Sequence, residues 1–429
     1  MNRNKKNPHL KKNIITAASL AMVLIVSACG NTTKKSSDTS SKKSETSEAA
    51  TAKTSDSASS SKTSAINSDE TINTSGLFSD RDLEQTADLT DAKKYTVSTG
   101  KDISITKAGV YVISGSASDV TITVDADDDK VQIVLDNVSI TNTDSPAIYV
   151  KSADKVFVTT SKNSKNTLKV TGTFSADGES NLDAVIFSKD DLTLNGEGSL
   201  NISSTANGVS SKDDLTITGG AYKISCSKDA FEAHDSIAIK DGTFDLDCRN
   251  GLKAEDKDDT GIGFICIEGG TFNIDAENDA IHGTTVTQID DGNLNLNAVE
   301  CIESTGIVIN NGTININSSD DGINASEKSS DYDVKVVING GDITIKMGSG
   351  DTDGIDSNGS IYVNGGTLDI TAQSPFDYDN EGKLNGGSVT VNGEAVTELT
   401  NQFANGGGMG PGKQHGPGGN KGPGRMKDQ

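Results

Sequence analysis

From about Tyr95 to Thr400 apolar and polar residues alternate in short runs, and each pair of runs is hinged on a Gly-Gly, Asp-Gly or Asn-Gly corner. The clearest unit, Leu215-Thr216-Ile217-Thr218-Gly219-Gly220-Ala221-Tyr222-Lys223-Ile224, recurs from Ile237 to Leu246, Ile265 to Ile274, Val286 to Leu296, Val308 to Ile316, Val336 to Ile345 and Ile361 to Ile370. Alternation with a period of two predicts strands, and helical periodicity is absent. The second glycine of each unit falls at Gly198, Gly220, Gly242, Gly270, Gly292, Gly312, Gly341, Gly366 and Gly387, about 20–29 residues apart, and such a period means a solenoid. Two or three short strands per repeat predict an all-β, right-handed parallel β-helix with coils stacked about 4.8 Å apart. A β-propeller is excluded because its blades need about 40 residues each. A hydrophobic content of 33% suits so thin a core.

The ends do not share this pattern. A basic start (Arg3, Lys5, Lys6, Lys11, Lys12) leads into an apolar stretch from Ala17 to Val26, which reads as a secretory leader over 1–28 and is too short to span a bilayer. It ends at Val26-Ser27-Ala28-Cys29-Gly30, which resembles the lipobox of bacterial lipoproteins. Diacylation of Cys29 would then hold a lipoprotein, membrane-anchored, on the extracellular face of the cell membrane. Residues 29–75 are Ser, Thr, Lys, Glu and Ala with few large apolar side chains, the composition of a disordered tether. The β-helix is expected over 76–405, and 406–429 is a Gly/Pro-rich tail.

Charge narrows the partners. With 38 Lys plus Arg against 62 Asp plus Glu the net charge is −24, and loss of the basic leader makes it more negative. Nucleic acid is excluded as a partner, since binding it requires a basic face; divalent cations are the natural counterions. A second motif shows where they could sit. Each coil turns through an acid or amide, a small residue, an apolar residue, a variable polar residue and a small residue, as in Asp229-Ala230-Phe231-Glu232-Ala233, Asn250-Gly251-Leu252-Lys253-Ala254, Asp279-Ala280-Ile281-His282-Gly283, Glu300-Cys301-Ile302-Glu303-Ser304, Asp321-Gly322-Ile323-Asn324-Ala325 and Asp353-Gly354-Ile355-Asp356-Ser357.

Stacked coils turn these positions into two columns. The fourth position reads Glu232, Lys253, His282, Glu303, Asn324, Asp356, explicable as a solvated wall of cross-strand pairs. The first reads Asp229, Asn250, Asp279, Glu300, Asp321, Asp353, with four carboxylates in succession about 5 Å apart. These must splay into water, take up protons or share an oxygen-loving cation. Calcium is the expected cofactor, with Asp229, Glu232, Asn250, Glu255, Asp279, Glu300, Glu303, Asp321, Asp353 and Asp356 as candidate ligands and Asp320, Asp351 and the run 255–259 adding oxygens nearby. Asp377-Tyr378-Asp379-Asn380-Glu381-Gly382 opens like an EF-hand loop, but Ser388 stands where the bidentate Glu belongs.

Cys226 and Cys248 are one coil apart and expected to stack in the interior, with a disulfide left open; Cys266 should face out, and Cys301 fills a small-residue corner. No CxxC pair is present, which argues against zinc.

On Ala108-Gly109-Val110-Tyr111-Val112-Ile113-Ser114-Gly115, Val131-Gln132-Ile133-Val134-Leu135-Asp136-Asn137-Val138, Ala184-Val185-Ile186-Phe187-Ser188-Lys189-Asp190-Asp191-Leu192 and the Asp-Gly-Ile turns, the chain resembles the bacterial cell-surface carbohydrate-binding domain-containing proteins, calcium-binding β-helices related in fold to pectate lyases. The resemblance covers about Tyr95 to Thr400; Ala280 and Cys301 depart from its usual glycine. It implies structural or ligand-bridging calcium and binding of plant or wall polysaccharides, acidic ones among them.

Three functions compete. A monomeric binding protein could grip an anionic polysaccharide through carboxylate–calcium–carboxylate bridges; with no Trp and 4% aromatic residues, a stacking platform would have to come from Tyr149, Tyr378 or Phe187. A calcium-dependent lyase would need a Lys or Arg base, for which Lys253 and Arg249 are the candidates, although Lys253 also reads as a plain partner for Glu232. A structural adhesin or wall spacer would use calcium only for rigidity.

Overall fold

The computed structural model describes residues 65–67, 70–178, 180–350 and 352–401. The leader, Cys29, Asp351 and the Gly/Pro-rich tail lie outside these residues. From Lys93 onward the chain is a parallel β-helix with three strands per coil. One coil is Ser236–Ile239, Thr243–Cys248 and Asn250–Ala254, and the next begins at Phe264–Ile267. The first strands of successive coils stack into a first face, the second strands into a second, and the third strands into a 12-stranded third face. First and second faces join because Gly109–Ser118 and Lys130–Asn142 run through the corner between them. Apart from a closing hairpin in which Glu394–Val396 returns antiparallel on Ser388–Val391, the ladders pair in parallel.

The corner glycines are needed for two reasons. Gly220, Gly242, Gly270, Gly292, Gly312, Gly341, Gly366 and Gly387 all have positive φ, which costs a residue with a Cβ. They also stack: a Cβ at Gly312 would lie 3.0 Å from the Gly292 carbonyl oxygen. Between corners the inward residues form unbroken ladders, Leu215–Ile237–Ile265 on the first face and Tyr222–Phe244–Phe272 on the second. The Phe244 and Phe272 rings stack with centroids 4.4 Å apart. Cys226 is half-buried, Cys248 buried, and both are free thiols.

One expectation needs correcting here. Cys266 does point away from the solenoid axis, yet it is fully buried, because Ile72 and Phe264 close over it with Ala65, Ile66 and Leu77 packed around them. The covering residues belong to a strap that begins inside the expected tether and lies along the outside of the first face. Glu70 pairs with Lys335 at 2.6 Å, the Ile72 N–H donates to Gln288 Oε1 at 2.7 Å, Lys240 sits over the Phe78 ring, and Gln85 Nε2 donates to Thr218 Oγ1 at 3.1 Å. Arg81 covers Phe157 at 4.3 Å before the strap enters the first coil at Lys93–Thr96. The ordered unit therefore starts before residue 76. The strap also carries one short turn of helix, Asp80–Leu83, capped by Ser79.

The strap's anchor is Asp82, 1% exposed. Its carboxylate accepts Lys155 Nζ at 2.8 Å, Thr193 Oγ1 at 2.6 Å and the Ser79 N–H at 2.8 Å. Burial raises its pKa, but the lysine charge and these hydrogen bonds outweigh it and hold the carboxyl below its ordinary value. Replacing one member of a buried pair strands the other, at about 3–5 kcal/mol. Asp82→Ala is expected to release the strap by up to that amount while the coils persist, read as faster amide exchange over residues 70–90 and at Thr193 and Thr218 beneath them; unchanged exchange there would show that the strap is held elsewhere.

Candidate functional site

The third face carries the candidate chemistry. Each of its strands is pinned by a buried apolar residue, Phe231, Leu252, Ile281, Ile302, Ile323 and Ile355 in turn. The pairing brings Asp229 beside Asn250, Asp279 beside Glu300 and Asp321 beside Asp353. Glu232, Lys253, His282, Glu303, Asn324 and Asp356 form the second column in unbroken register. The small residue after each first position is forced by the coil next door: a Cβ on Gly251 would lie 2.4 Å from the Ala280 oxygen, and one on Gly322 2.5 Å from that of Gly354. Ala280 and Cys301, in the same column, are fully buried.

The ten candidate ligands do not form one site. Asp229 and Asp353 are five coils apart, about 24 Å at 4.8 Å per coil, and the column divides in two. In the N-terminal half the carboxylates are satisfied by protein groups. Glu232 accepts Ser210 Oγ at 2.6 Å, Asn207 Nδ2 at 3.0 Å and Lys212 Nζ at 3.3 Å; burial raises it, but Lys212 and Ser210 bring its pKa below the ordinary value. Asp229 accepts Asn250 Nδ2 at 2.6 Å, and burial holds its carboxyl above the usual range. Asn250 Oδ1 in turn accepts the Asp279 N–H at 3.2 Å, so this first position also ties each coil to the next.

Lys253 pairs with Glu255 at 2.9 Å, not with Glu232 as the column suggested. The Glu255 side chain lies two residues along the same edge, whereas Glu232 is already taken by Lys212. Desolvation lowers the Lys253 pKa, but Glu255 more than offsets this and the ammonium is stabilised. Arg249 is exposed on the preceding corner.

At the middle of the column His282 Nδ1 lies 3.0 Å from Asp279 Oδ2 and 2.7 Å from Glu303 Oε2, while Lys328 reaches Glu303 Oε1. Although burial opposes it, these carboxylates push His282 up to about 9, and Glu303, despite desolvation, is drawn down to about 2 by His282 and Lys328. His282 is therefore a buried cation bridging two acids, a role that its place in a variable polar column did not reveal. Asp279, His282 and Glu303 are one of two convergent acid or imidazole clusters among the described residues; the other is Asp191, Asp213 and Asp214 at the edge leading to the first face.

Beyond His282 the balance changes. Among the described residues no ion pair falls on Glu300, Asp321 or Asp356. Desolvation, then repulsion from Glu303, lifts Glu300 to about 7; desolvation with Asp356 and Asp320 lifts Asp321 to about 7; desolvation with Asp377 and Asp353 lifts Asp356 to about 6. Asp377 belongs to a strand, Ser374–Tyr378, and extends the second column beside Asp356, so the EF-hand-like sequence is not a loop. Between the acids sits Asn324, 9% exposed. Its Nδ2 donates to Glu300 Oε2 at 3.0 Å, and its buried Oδ1 has no hydrogen-bond partner. Such an orphaned acceptor among hard oxygen donors fits a calcium or magnesium ligand set, and neither its amide character nor its column marked Asn324 in advance.

The aromatic residues considered for stacking are elsewhere. Tyr149 and Phe187 are buried edge to face with Leu182 and Ala184, and Tyr378 packs against the core with its hydroxyl donating to the Leu399 oxygen at 2.9 Å.

Against known proteins, the family model described as carbohydrate-binding domain-containing protein matches residues 99–354 and 303–404. A protein of that description from Acetivibrio thermocellus is 37% identical over 124 residues, 28% of this chain and 43% of the relative, so the match spans less than half of that protein. A solved polysaccharide lyase-like protein from C. thermocellum aligns with 68% of this chain and 99% of its own, at 22% identity and a TM-score of 0.41.

The acid pKa values fix a sign. A carboxyl whose folded pKa is raised binds more protons folded than unfolded, so it favours the fold below its unfolded value and loses that contribution as pH climbs to the folded one. For Asp321 and Glu300 that window runs from their ordinary values near 4 up to about 7. In chelator, the melting temperature is expected to fall by a few degrees between pH 5 and pH 8, with Asp321→Asn flattening the slope; a flat profile in the wild type would mean that these acids are not electrostatically strained.

Proposed function

The chain belongs to the carbohydrate-binding domain-containing protein family, and we propose that it is a lipid-anchored cell-surface protein that holds an acidic polysaccharide through calcium. The observation that carries the reading is the C-terminal half of the third face, where Glu300 and Asp321 in the first column and Asp356 in the second have no ion-pair partner among the described residues and Asn324 Oδ1, beside Asp356, is buried and unsatisfied. Hard oxygen ligands on a strand ladder suit a cation with a flexible, high coordination number. Glu300, Asp321, Asn324 and Asp356 are the residues that would hold it, with Asp353 and Asp320 at hand, whereas Asp229, Glu232, Glu255, Asp279 and Glu303 already have protein partners.

The ion would supply positive charge on an otherwise anionic face. The chain's part is to keep the acids at fixed spacing and to leave the outer side of the column open, so that a uronate carboxylate can complete the coordination. Export through the leader and acylation at Cys29 would present this face outside the cell.

Binding is favoured over a lyase reaction by the state of Lys253. As a base Lys253 would have to be neutral near pH 7, and Glu255 stabilises its ammonium instead; the other candidate, Arg249, is exposed on the preceding corner.

Titration of the purified chain with polygalacturonate, in calcium and in chelator, tests the reading. Heat is expected with calcium alone, and Asp321→Asn or Asn324→Ala should weaken it at least tenfold, about 1.4 kcal/mol, while Asp229→Asn leaves it within twofold. Equal binding in chelator, or no binding by a folded protein in calcium, would remove the bridging mechanism.

A further inference from the structure

The solenoid's regular turn from third to first face takes only His234 and Asp235 between Ala233 and Ser236. Between Ala325 and Lys335 it is widened by the insertion 326–334, and a cleft of about 410 Å³ opens there, lined by Ser330, Tyr332, Lys335, Asn358, Tyr362 and Asn380. Tyr332 comes from the insertion and packs on the strap residues around Ile72. Tyr362 comes from the first face, in register with Val337 and Lys383. Further down that face the strap covers outward residues such as Cys266 and Gln288; Tyr362 lies beyond it and remains half-exposed. Its hydroxyl donates to Glu381 Oε2 at 3.2 Å, which fixes the ring.

The charges around the cleft are acidic or already paired. Lys335 is held by Glu70 at 2.6 Å, Lys383 by Glu381 at 2.7 Å, and Glu327 and Asp333 add negative charge to the wall. A uronate would meet more carboxylates than ammonium groups, since Lys335 and Lys383 are each already engaged by a glutamate. An uncharged sugar ring suits the site better. Its C–H face can lie on the side of the Tyr362 ring away from Lys383, whose Nζ is 5.9 Å from the ring centroid, and its hydroxyls can reach the exposed amides of Asn358 and Asn380 and the hydroxyl of Ser330, the few directed polar groups that orient a ligand in a pocket of this size.

We propose that the cleft between Tyr332 and Tyr362 binds an uncharged pyranose unit of a polysaccharide, without a metal ion, and that the strap forms part of the site by bracing Tyr332 and neutralising Lys335. The proposal deepens the binding reading and rests on it for the class of ligand, but it concerns a different edge of the third face and makes no use of calcium.

The test is calorimetry or affinity electrophoresis of the full chain in chelator against three uncharged soluble polymers: a mixed-linkage β-glucan, a xylan and a galactomannan. At least one is expected to bind, Tyr362→Ala to weaken it tenfold or more, and Tyr362→Phe to stay within about threefold, since the ring and not the hydroxyl makes the contact. Asn358→Ala, a change at an exposed turn that leaves the ladders intact, should also weaken binding and guards against misfolding of the tyrosine variant. Retained affinity in both Tyr362→Ala and Asn358→Ala, or silence with all three polymers, would overturn the assignment. The polygalacturonate titration in calcium, with Asp321→Asn, reads the acidic column separately, so failure of one site is not mistaken for failure of the other.

Discussion

In-register stacking of parallel coils is the constraint from which the rest follows. When every coil repeats the same path about 4.8 Å above the last, a residue's nearest neighbours are its own equivalents, and each position in the repeat becomes a column of like environment. Apolar columns profit from this, as in the Tyr222–Phe244–Phe272 stack. Amide columns profit as well: along an outer corner Asn385 donates to Asn364, Asn364 to Asn339 and Asn339 to Asn310, at 2.8–2.9 Å. For charge the same rule is a penalty, because identical acids are brought close together.

The third face deals with that penalty in two ways. Its N-terminal half interleaves acids with Asn250, Lys212, Lys253 and His282, so each carboxylate has a donor or cation within reach. Its C-terminal half leaves Glu300, Asp321 and Asp356 desolvated and facing further acids, and their pKa values rise. A ladder whose packing is otherwise so complete retains this strain along one edge of one face. The strain is relieved by protons at low pH or by a cation at higher pH, and both follow from the same spacing.

Legibility in the sequence tracks this repetition. Whatever repeats could be read: the strands, the positive-φ corners, the inward ladders and both third-face columns are all consequences of a period visible in one dimension. What could not be read comes from residues without a counterpart in the next coil. The strap from Glu70 to Gln85 has no period, so neither its path nor the burial of Cys266 beneath it was apparent. Glu255 and Lys328 sit on turns of unequal length, and each captures a residue of the column, Lys253 and Glu303, from outside it. Tyr332, on the insertion 326–334, and Tyr362, on the first face one coil later, line one cleft because that insertion enlarges the turn.

The two candidate binding features lie along the same strands, the first acidic column at their start and the cleft beyond their end. Asp353 opens the strand Asp353–Ser357, Asp356 is its fourth residue and Asn358 follows it, so the first column lies about 16 Å from the tyrosine cleft, whereas Asp356 and its neighbour Asn324 lie only about 7 Å along the chain from it. A polymer lying along the strand direction could touch both, whereas one lying along the solenoid axis would follow a single column. The first arrangement demands a glycan in which charged and uncharged units occur within a few sugars of each other; the second would let each edge act on a different polymer. Two modest contacts on one chain reinforce each other through the effective concentration that the first imposes on the second. Strong coupling between the edges would therefore point to a mixed acidic and neutral polysaccharide crossing the face, and independence would point to two separate ligands.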